Sequence, residues 1–331
     1  MRRGFGTTAD GRTVEAVTLS DGTLTVTVLT LGAILNDLRL AGVPYGLTLG
    51  TPELAPYAGG MGYYGAIVGP VANRIAGARA AIAGTEYRFP PNEGSNLLHG
   101  GAAGTHAQLW EIAGVTETAL TLGVALPDGL GGFPGNRRIT ARYALAEPGT
   151  LELTIEADTD APTLFNLAHH GYWNLDGTRD YAGHCLRIAA DRYLPVDAEM
   201  IPIEQPAPVA GTPFDFRAGR ALTPGEGARI DHNFCLSDER VRLRPVLNLT
   251  GTSGVTLTME TTEPGLQVFD GGNDIAAAHT GHDGRNLGPW AGLALEAQCW
   301  PDAPHHPGFP PILHTPGAPY RQVTRFRFAR G

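Results

Sequence analysis

RRITARYALAEPGTLELTIEA (Arg137–Ala157) is the stretch whose pattern decides the fold. Ile139, Ala141, Tyr143 and Leu145 fall on every second position, and so do Leu151, Leu153 and Ile155, with Pro148-Gly149 between the two runs. A period of two puts those side chains on one face of an extended chain, so each run reads as a strand with one buried face. The same alternation recurs on both sides: Leu24, Val26 and Val28; Leu120, Leu122, Val124 and Leu126; Val255, Leu257 and Met259. No segment carries an apolar stripe at helical spacing over three turns. The 45 glycines and 26 prolines are spread along the chain and cut it into short pieces. Many short strands joined by Gly/Pro turns predict an all-β fold. We read residues 1–331 as one domain, a single large antiparallel β-sandwich.

Composition narrows the function. The 331 residues are 42% hydrophobic, enough for a sizeable core, and carry a formal net charge of −9 with no basic run. That excludes an electrostatic footprint for nucleic acid or anionic membrane. No stretch reaches the roughly 18 apolar residues of a membrane span, and Met1-Arg-Arg is followed by no apolar leader segment. Cys185, Cys235 and Cys299 are isolated, without metal-ligand or disulfide-framework spacing. A cytoplasmic protein is expected, either monomer or homodimer. The chain contains no lysine, so neither a Schiff-base enzyme nor a Walker P-loop can be built from it. Gly60-Met-Gly-Tyr-Tyr-Gly65 matches GxGxxG but follows a proline-bearing stretch without strand pattern, and reads as a loop. Asn248-Leu-Thr250 is a chance glycosylation match.

Five segments carry chemistry. Gly69-Pro-Val-Ala-Asn73-Arg74-Ile75 places an amide and a guanidinium in a Gly-bounded turn, suited to a polyhydroxylated or anionic ligand. Asn96-Leu-Leu-His99-Gly-Gly sets a histidine before two glycines, where the backbone bends tightly. In Phe165-Asn-Leu-Ala-His169-His170-Gly-Tyr172-Trp173, alternation sends His169 to one face and His170, with Asn166, to the other. Tyr172 and Trp173 offer aromatic faces for a sugar ring. Asp231-His-Asn-Phe supplies a carboxylate in a polar turn. Finally, Leu293-Ala-Leu-Glu296-Ala-Gln298-Cys299 sets Glu296 and Gln298 on one strand face and Leu293, Leu295 and Ala297 on the other. A carboxylate among apolar neighbours is uncommon unless its face opens to solvent or to a site. Glu296 is therefore the best catalytic candidate by pattern.

In order, these segments resemble the galactose mutarotase (aldose 1-epimerase) family. The resemblance runs through GPVANRIAG (69–77), EGSNLLHGG (93–101), GGFPGNRRITARYAL (131–145) and FNLAHHGYWNL (165–175). It continues through LPVDAEMIPIEQPAPVAGTPFDFR (194–217), DHNF (231–234) and LALEAQCWPDAPHHPGFPPILHTPGAPY (293–320). It implies a galactose mutarotase-like supersandwich and an isomerase that interconverts the α and β anomers of a free aldose, with no metal or other cofactor. It implies His170 as general acid, Glu296 as base, His99 as a second active-site histidine, and Arg74 and Asp231 as substrate-binding groups. Asn73 and Gln298, beside Arg74 and Glu296, are expected to bind substrate too. The chain departs from the family at Gly69-Pro70, often Gly-Arg, at Gly104-Thr-His-Ala, usually Gly-Phe-Asp-Lys, and at His169-His170, commonly Asn-His. The catalytic residues are kept while the surrounding segments differ, which leaves the identity of the sugar open. Two alternatives share the fold: a hexose-6-phosphate 1-epimerase and a non-catalytic sugar-binding protein. A third, a metal oxygenase, shares only the residue set His99, His170 and Glu296.

Overall fold

The computed structural model describes residues 1–203, 205–272 and 279–331, which leaves Glu204 of the 194–217 motif outside the described residues. Among them the chain is almost entirely β, and its only helical turns are 3-10 segments of three or four residues. Among the described residues no helix is long and apolar enough to cross a membrane. The opening hairpin forms as its alternation demands. Arg137–Glu147 pairs antiparallel with Thr150–Thr159, placing Ala141 opposite Ile155 and Tyr143 opposite Leu153.

Thr150–Thr159 then pairs with the C-terminal strand Tyr320–Arg330, which pairs in turn with Val255–Thr261. These belong to a nine-stranded antiparallel sheet. Its inner face continues from Leu151 to Phe326 to Met259. Its outer face is polar, with Arg325 Nε donating to Glu152 at 2.7 Å across the pair, a contact worth about 0.2–1 kcal/mol. Arg2–Thr7, Thr13–Ser20, Leu24–Leu29 and Leu35–Leu40 form a separate four-stranded meander.

A six-stranded sheet contributes the strands of Asp231 and Glu296. Its order is Tyr172–Trp173, Leu293–Gln298, Gly265–Phe269, Asp231–Cys235, Arg192–Tyr193 and Ala207–Pro208. One face, with Leu293, Leu295, Ala297, Leu266, Val268 and Phe234, packs into the same apolar cluster as Ile139, Tyr143, Leu153 and Phe326 of the large sheet. Full burial of each such side chain contributes about 1.5–3 kcal/mol. The cluster therefore fixes the register of the small sheet firmly, because a slip of one residue would turn that face to solvent. The same register aligns the opposite face: Gln267 lies opposite both Glu296 and Asn233, and Phe269 opposite both Ala294 and Asp231.

Candidate active site

The polar face of the small sheet is the floor of a cleft of about 430 Å³, lined by Asn73, Arg74, His99, His170, Asp231 and Glu296 together with Tyr63, Tyr64, Tyr172 and Gln267. Residues more than two hundred positions apart in sequence thus meet at one place. Of the seven expected site residues, six line it.

Glu296 projects from Leu293–Gln298, whose six residues are all buried. His170 is held by its backbone: its N–H donates to Ala66 O at 2.8 Å, and its carbonyl accepts from Gly65 N at 2.9 Å. Gly65 is required here. Its φ is +68°, and a Cβ would stand 2.3 Å from Leu35 O. The two adjacent histidines diverge as alternation predicts. His169 enters the core beside Phe326, with ring centroids 5.5 Å apart, and Tyr143, at 6.3 Å. His170 turns to the cleft among Tyr63, Tyr172 and His99, at 5.9, 5.1 and 5.3 Å. Its Nε2 lies 3.5 Å from Glu296 Oε1. Neither His170 Nδ1 nor Glu296 Oε2 has a protein hydrogen-bond partner.

Asn73 and His99 both adopt left-handed backbone, with φ of 60° and 49°, a conformation that costs non-glycine residues energy and clusters at functional sites. They hold one another: His99 N donates to Asn73 O at 3.0 Å, and Asn73 N to His99 Nδ1 at 3.1 Å. Because Nδ1 accepts, the proton of neutral His99 sits on Nε2. Burial, reinforced by His170 and Arg74, keeps His99 well below the usual histidine range. It is a neutral donor. Arg74 is clamped by Glu93 through two bonds of 2.5 and 2.8 Å, and contacts Asn73 Oδ1 at 3.4 Å. Asp231 accepts from Gln267 Nε2 at 2.6 Å and has Arg229 at 3.7 Å.

Burial sets the charge state of the pair at the centre. It pushes His170 down to about 4 and Glu296 well above the carboxylate range, with Asp231 pushing Glu296 further up and Arg74 opposing. Both shifts favour neutral imidazole beside protonated carboxyl. The pair then carries one titratable proton in total, with His170 Nε2 and Glu296 Oε1 3.5 Å apart.

Two expectations fail. Gln298 does not line the cleft. It shares the face of Glu296 but lies one pleat further along the strand, roughly 7 Å away, fully buried with its Nε2 donating to Cys299 O at 3.2 Å. Trp173 does not offer its ring to a ligand. Alternation from Tyr172 sends it into the core against Phe326 and Phe328, at 5.1 and 5.5 Å. Conversely, Tyr63, Tyr64 and Gln267 line the cleft without having been expected. The two tyrosines belong to the GxGxxG loop. Gln267 could be found by its place in a strand, Gly265–Phe269, of otherwise apolar or glycine residues, the same signal that marks Glu296.

The family model described as aldose 1-epimerase matches residues 15–327. The chain belongs to the aldose 1-epimerase family. It is 37% identical to a galactose mutarotase of Mus musculus over 96% of this chain and 95% of that one. It is 32% identical to an aldose 1-epimerase of Escherichia coli K12 over 96% of each. Among solved structures, an aldose epimerase homologue from C. elegans superposes with a TM-score of 0.88 at 27% identity, covering 95% of this chain and 98% of that one. A galactose 1-epimerase from Lactobacillus acidophilus NCFM gives 0.85 at 27% identity, covering 100% and 98%. The fold expected from strand patterning is thus the fold of the family.

In this aldose 1-epimerase family member one further property of the site bears on chemistry. Ligand atoms of His99, His170 and Glu296 all lie within 4.8 Å of one another, the donor set of a two-histidine, one-carboxylate metal centre. Nδ1 of His99 is already engaged by Asn73 N, so Nε2 is the nitrogen it would bring to an ion.

Proposed function

We propose that this protein is a mutarotase that interconverts the α and β anomers of a free, uncharged aldose by general acid–base ring opening. The observation that carries the proposal is the buried His170–Glu296 pair, 3.5 Å apart, on the floor of a sugar-sized cleft. Mutarotation moves protons on two oxygens of one carbon. Ring opening starts once the proton of Glu296 has passed to His170: the carboxylate of Glu296 then takes the proton of the anomeric hydroxyl O1 while the imidazolium of His170 gives one to the ring oxygen O5. The C1–O5 bond breaks and C1–O1 becomes the aldehyde carbonyl. Rotation about C1–C2 presents the other carbonyl face. O5 then attacks C1, returning its proton to His170 as Glu296 returns one to O1.

Ring opening therefore converts imidazolium and carboxylate into imidazole and carboxylic acid. Burial pulls the pair the same way, so the site favours the open-chain state relative to the ring. The neutral His99 donor assists at the ring oxygen side, and Arg74 and Asp231 hold ring hydroxyls. Because mutarotation proceeds unaided in water, such groups suffice: acid–base steps supply about 10²–10⁴-fold each. A pure sugar-binding site has no use for a paired acid and base.

Charge balance argues for a free sugar over a sugar phosphate. With Glu296 protonated, Glu93 and Asp231 still balance Arg74 and Arg229 in the cleft lining, and Arg74 is taken by Glu93. A dianionic phosphate would meet no surplus of cations. The three free cysteines suit a reducing, cytoplasmic setting. The test is polarimetry on freshly dissolved single anomers of galactose, glucose, xylose and glucose 6-phosphate, in chelating buffer. Faster decay of rotation with a free aldose is expected. Activity restricted to the phosphate, or dependent on added metal, would overturn the reading.

Arg74→Ala is expected to raise KM about tenfold or more while lowering kcat less, since a binding contact shared by ground and transition states acts mainly on KM. Initial-rate polarimetry separates the two. The pH profile carries a second expectation. A second proton on the pair removes its base, and burial holds His170 at about 4 rather than 6.5. As pH falls, kcat should stay level through 6.5 and drop only towards 4. On the alkaline side it should fall when the raised Glu296 loses its proton and leaves the pair without an acid. An inflection at an unperturbed histidine value would contradict the neutral-pair account.

A further inference from the structure

Arg74 lies on a two-residue strand, Arg74–Ile75, that is held on both edges. On one edge Arg74 pairs with Leu98, the residue before His99. On the other stands a single residue outside any strand, Asp302. Its N–H donates to Arg74 O at 3.1 Å, and its Oδ1 accepts from Ala76 N at 3.0 Å. A neighbouring strand would bracket Ile75 in the same way, with a main-chain carbonyl where Asp302 supplies its carboxylate. To make both bonds Asp302 takes left-handed backbone, with φ of 55°. That conformation costs a non-glycine residue energy and persists only where the surroundings hold it. The carboxylate is buried, and two histidines brace it: His305 Nδ1 lies 2.6 Å from Oδ1, and His306 Nε2 3.4 Å from Oδ2.

Asp302 is tied equally firmly to the strand of Glu296. Only Cys299, Trp300 and Pro301 separate it from the end of Leu293–Gln298. Cys299 exchanges two hydrogen bonds with the Asn166 side chain, at 2.8 and 3.2 Å, and Trp300 Nε1 donates to Pro264 O at 3.0 Å. Asn166 in turn donates its N–H to Pro70 O at 2.8 Å and accepts from Ala72 N at 2.6 Å. The segments that carry Arg74, His170 and Glu296 are therefore locked to one another, and Asp302 is the contact nearest Arg74.

The far end of Arg74 is clamped by Glu93, which is itself partly exposed. A clamp at the tip fixes a guanidinium only if the backbone behind it is fixed too. Misplacement of about 1 Å, even from a change away from the chemistry, is costly to an enzyme. Asp302 does not line the cleft, so whatever it contributes must pass through Arg74 and its neighbours.

We propose that Asp302 is a positioning residue: by bracketing Ile75 it sets where Arg74 stands relative to Glu296, and so the grip of Arg74 on the sugar hydroxyls. The inference rests on the reading of the protein as a mutarotase in which Arg74 binds substrate.

The test uses Asp302→Gly and Asp302→Asn, alone and with Arg74→Ala. Glycine and asparagine both tolerate left-handed backbone, so neither adds strain at this position. Asparagine keeps an Oδ1 that accepts from Ala76 N; glycine does not. Initial-rate polarimetry on a free aldose is expected to show KM raised about fivefold in Asp302→Gly, with kcat within about twofold. Asp302→Asn should stay within about twofold of the wild type in both. In the Arg74→Ala background Asp302→Gly should add less than about twofold to KM, since a misplaced arginine and an absent one bind alike. His305→Ala, at an exposed position, removes one partner of the same Oδ1. It keeps the test open should Asp302→Gly not fold, with KM expected to rise about threefold, again only when Arg74 is present. A wild-type KM in the folded variant, a loss confined to kcat, a loss in Asp302→Asn as large as in Asp302→Gly, or a KM effect that multiplies with that of Arg74→Ala would overturn the role of Asp302 alone. A wild-type KM in Arg74→Ala, or no exchange of any free aldose by the wild type, would overturn the functional reading and the inference with it.

Discussion

Glu296→Gln should lower kcat by about 10² or more, with a much smaller change in KM. Glutamine keeps the shape of the side chain and its capacity to hydrogen-bond, but it cannot take the proton of O1. The loss isolates the chemical step because the fold has little reason to object. Glu296 is 2% exposed, and burial keeps its carboxyl protonated well above the usual range, so the resting residue is already a neutral group that glutamine imitates. Substitution by alanine would confound the result with a cavity in the sheet floor. Single-anomer polarimetry over a range of sugar concentrations checks the split. A Glu296→Gln enzyme working at the wild-type rate would move the base elsewhere, with Asp231, the other buried carboxylate that lines the cleft, next in line.

His170→Asn is expected to cost a comparable factor of about 10² or more, because asparagine offers a hydrogen bond to O5 but no transferable proton. The more telling result is the double variant. Both protons must move for C1–O5 to break, and the two groups lie 3.5 Å apart. Once one partner is gone, the other has little left to do. The double variant should therefore lose far less than the product of the single losses, as groups acting as a unit do. Multiplicative losses would mean that His170 and Glu296 act in separate steps. The same stopped reactions, read by polarimetry with each single variant alongside, decide this.

How far the sequence carries one to this site depends on distance along the chain. Alternation is a local property, and it was enough to read Ile139–Leu145 and Leu151–Ile155 as facing strands, to separate His170 from His169, and to mark Glu296 as misplaced in an apolar strand. Strand order is not local. Nothing between residues 150 and 331 announces that Tyr320–Arg330 inserts between Thr150–Thr159 and Val255–Thr261, since that choice is made by apolar faces meeting in three dimensions. Gln298 shows the limit within one strand. Period two names the face correctly but says nothing of where along it the cleft stops, and one pleat beyond Glu296 the floor is already covered. Tyr63 and Tyr64 escape for another reason: they sit in an irregular loop whose placement depends on Gly65 packing against Leu35 and His170, a contact with no periodic signature. The family resemblance points to His170 and Glu296 as the reacting groups, and their burial favours the neutral form of each.

The central claim is that only hydroxyl protons move, between O1, O5 and the His170–Glu296 pair. Exchange NMR in deuterated water on an equilibrium mixture of aldose anomers tests it most directly. The account predicts α and β signals exchanging rapidly in the presence of enzyme, with the carbon-bound hydrogens at C1 and C2 fully retained. Deuterium appearing at C2, as removal of a carbon-bound proton would give, or anomers exchanging no faster than in buffer alone, would contradict it.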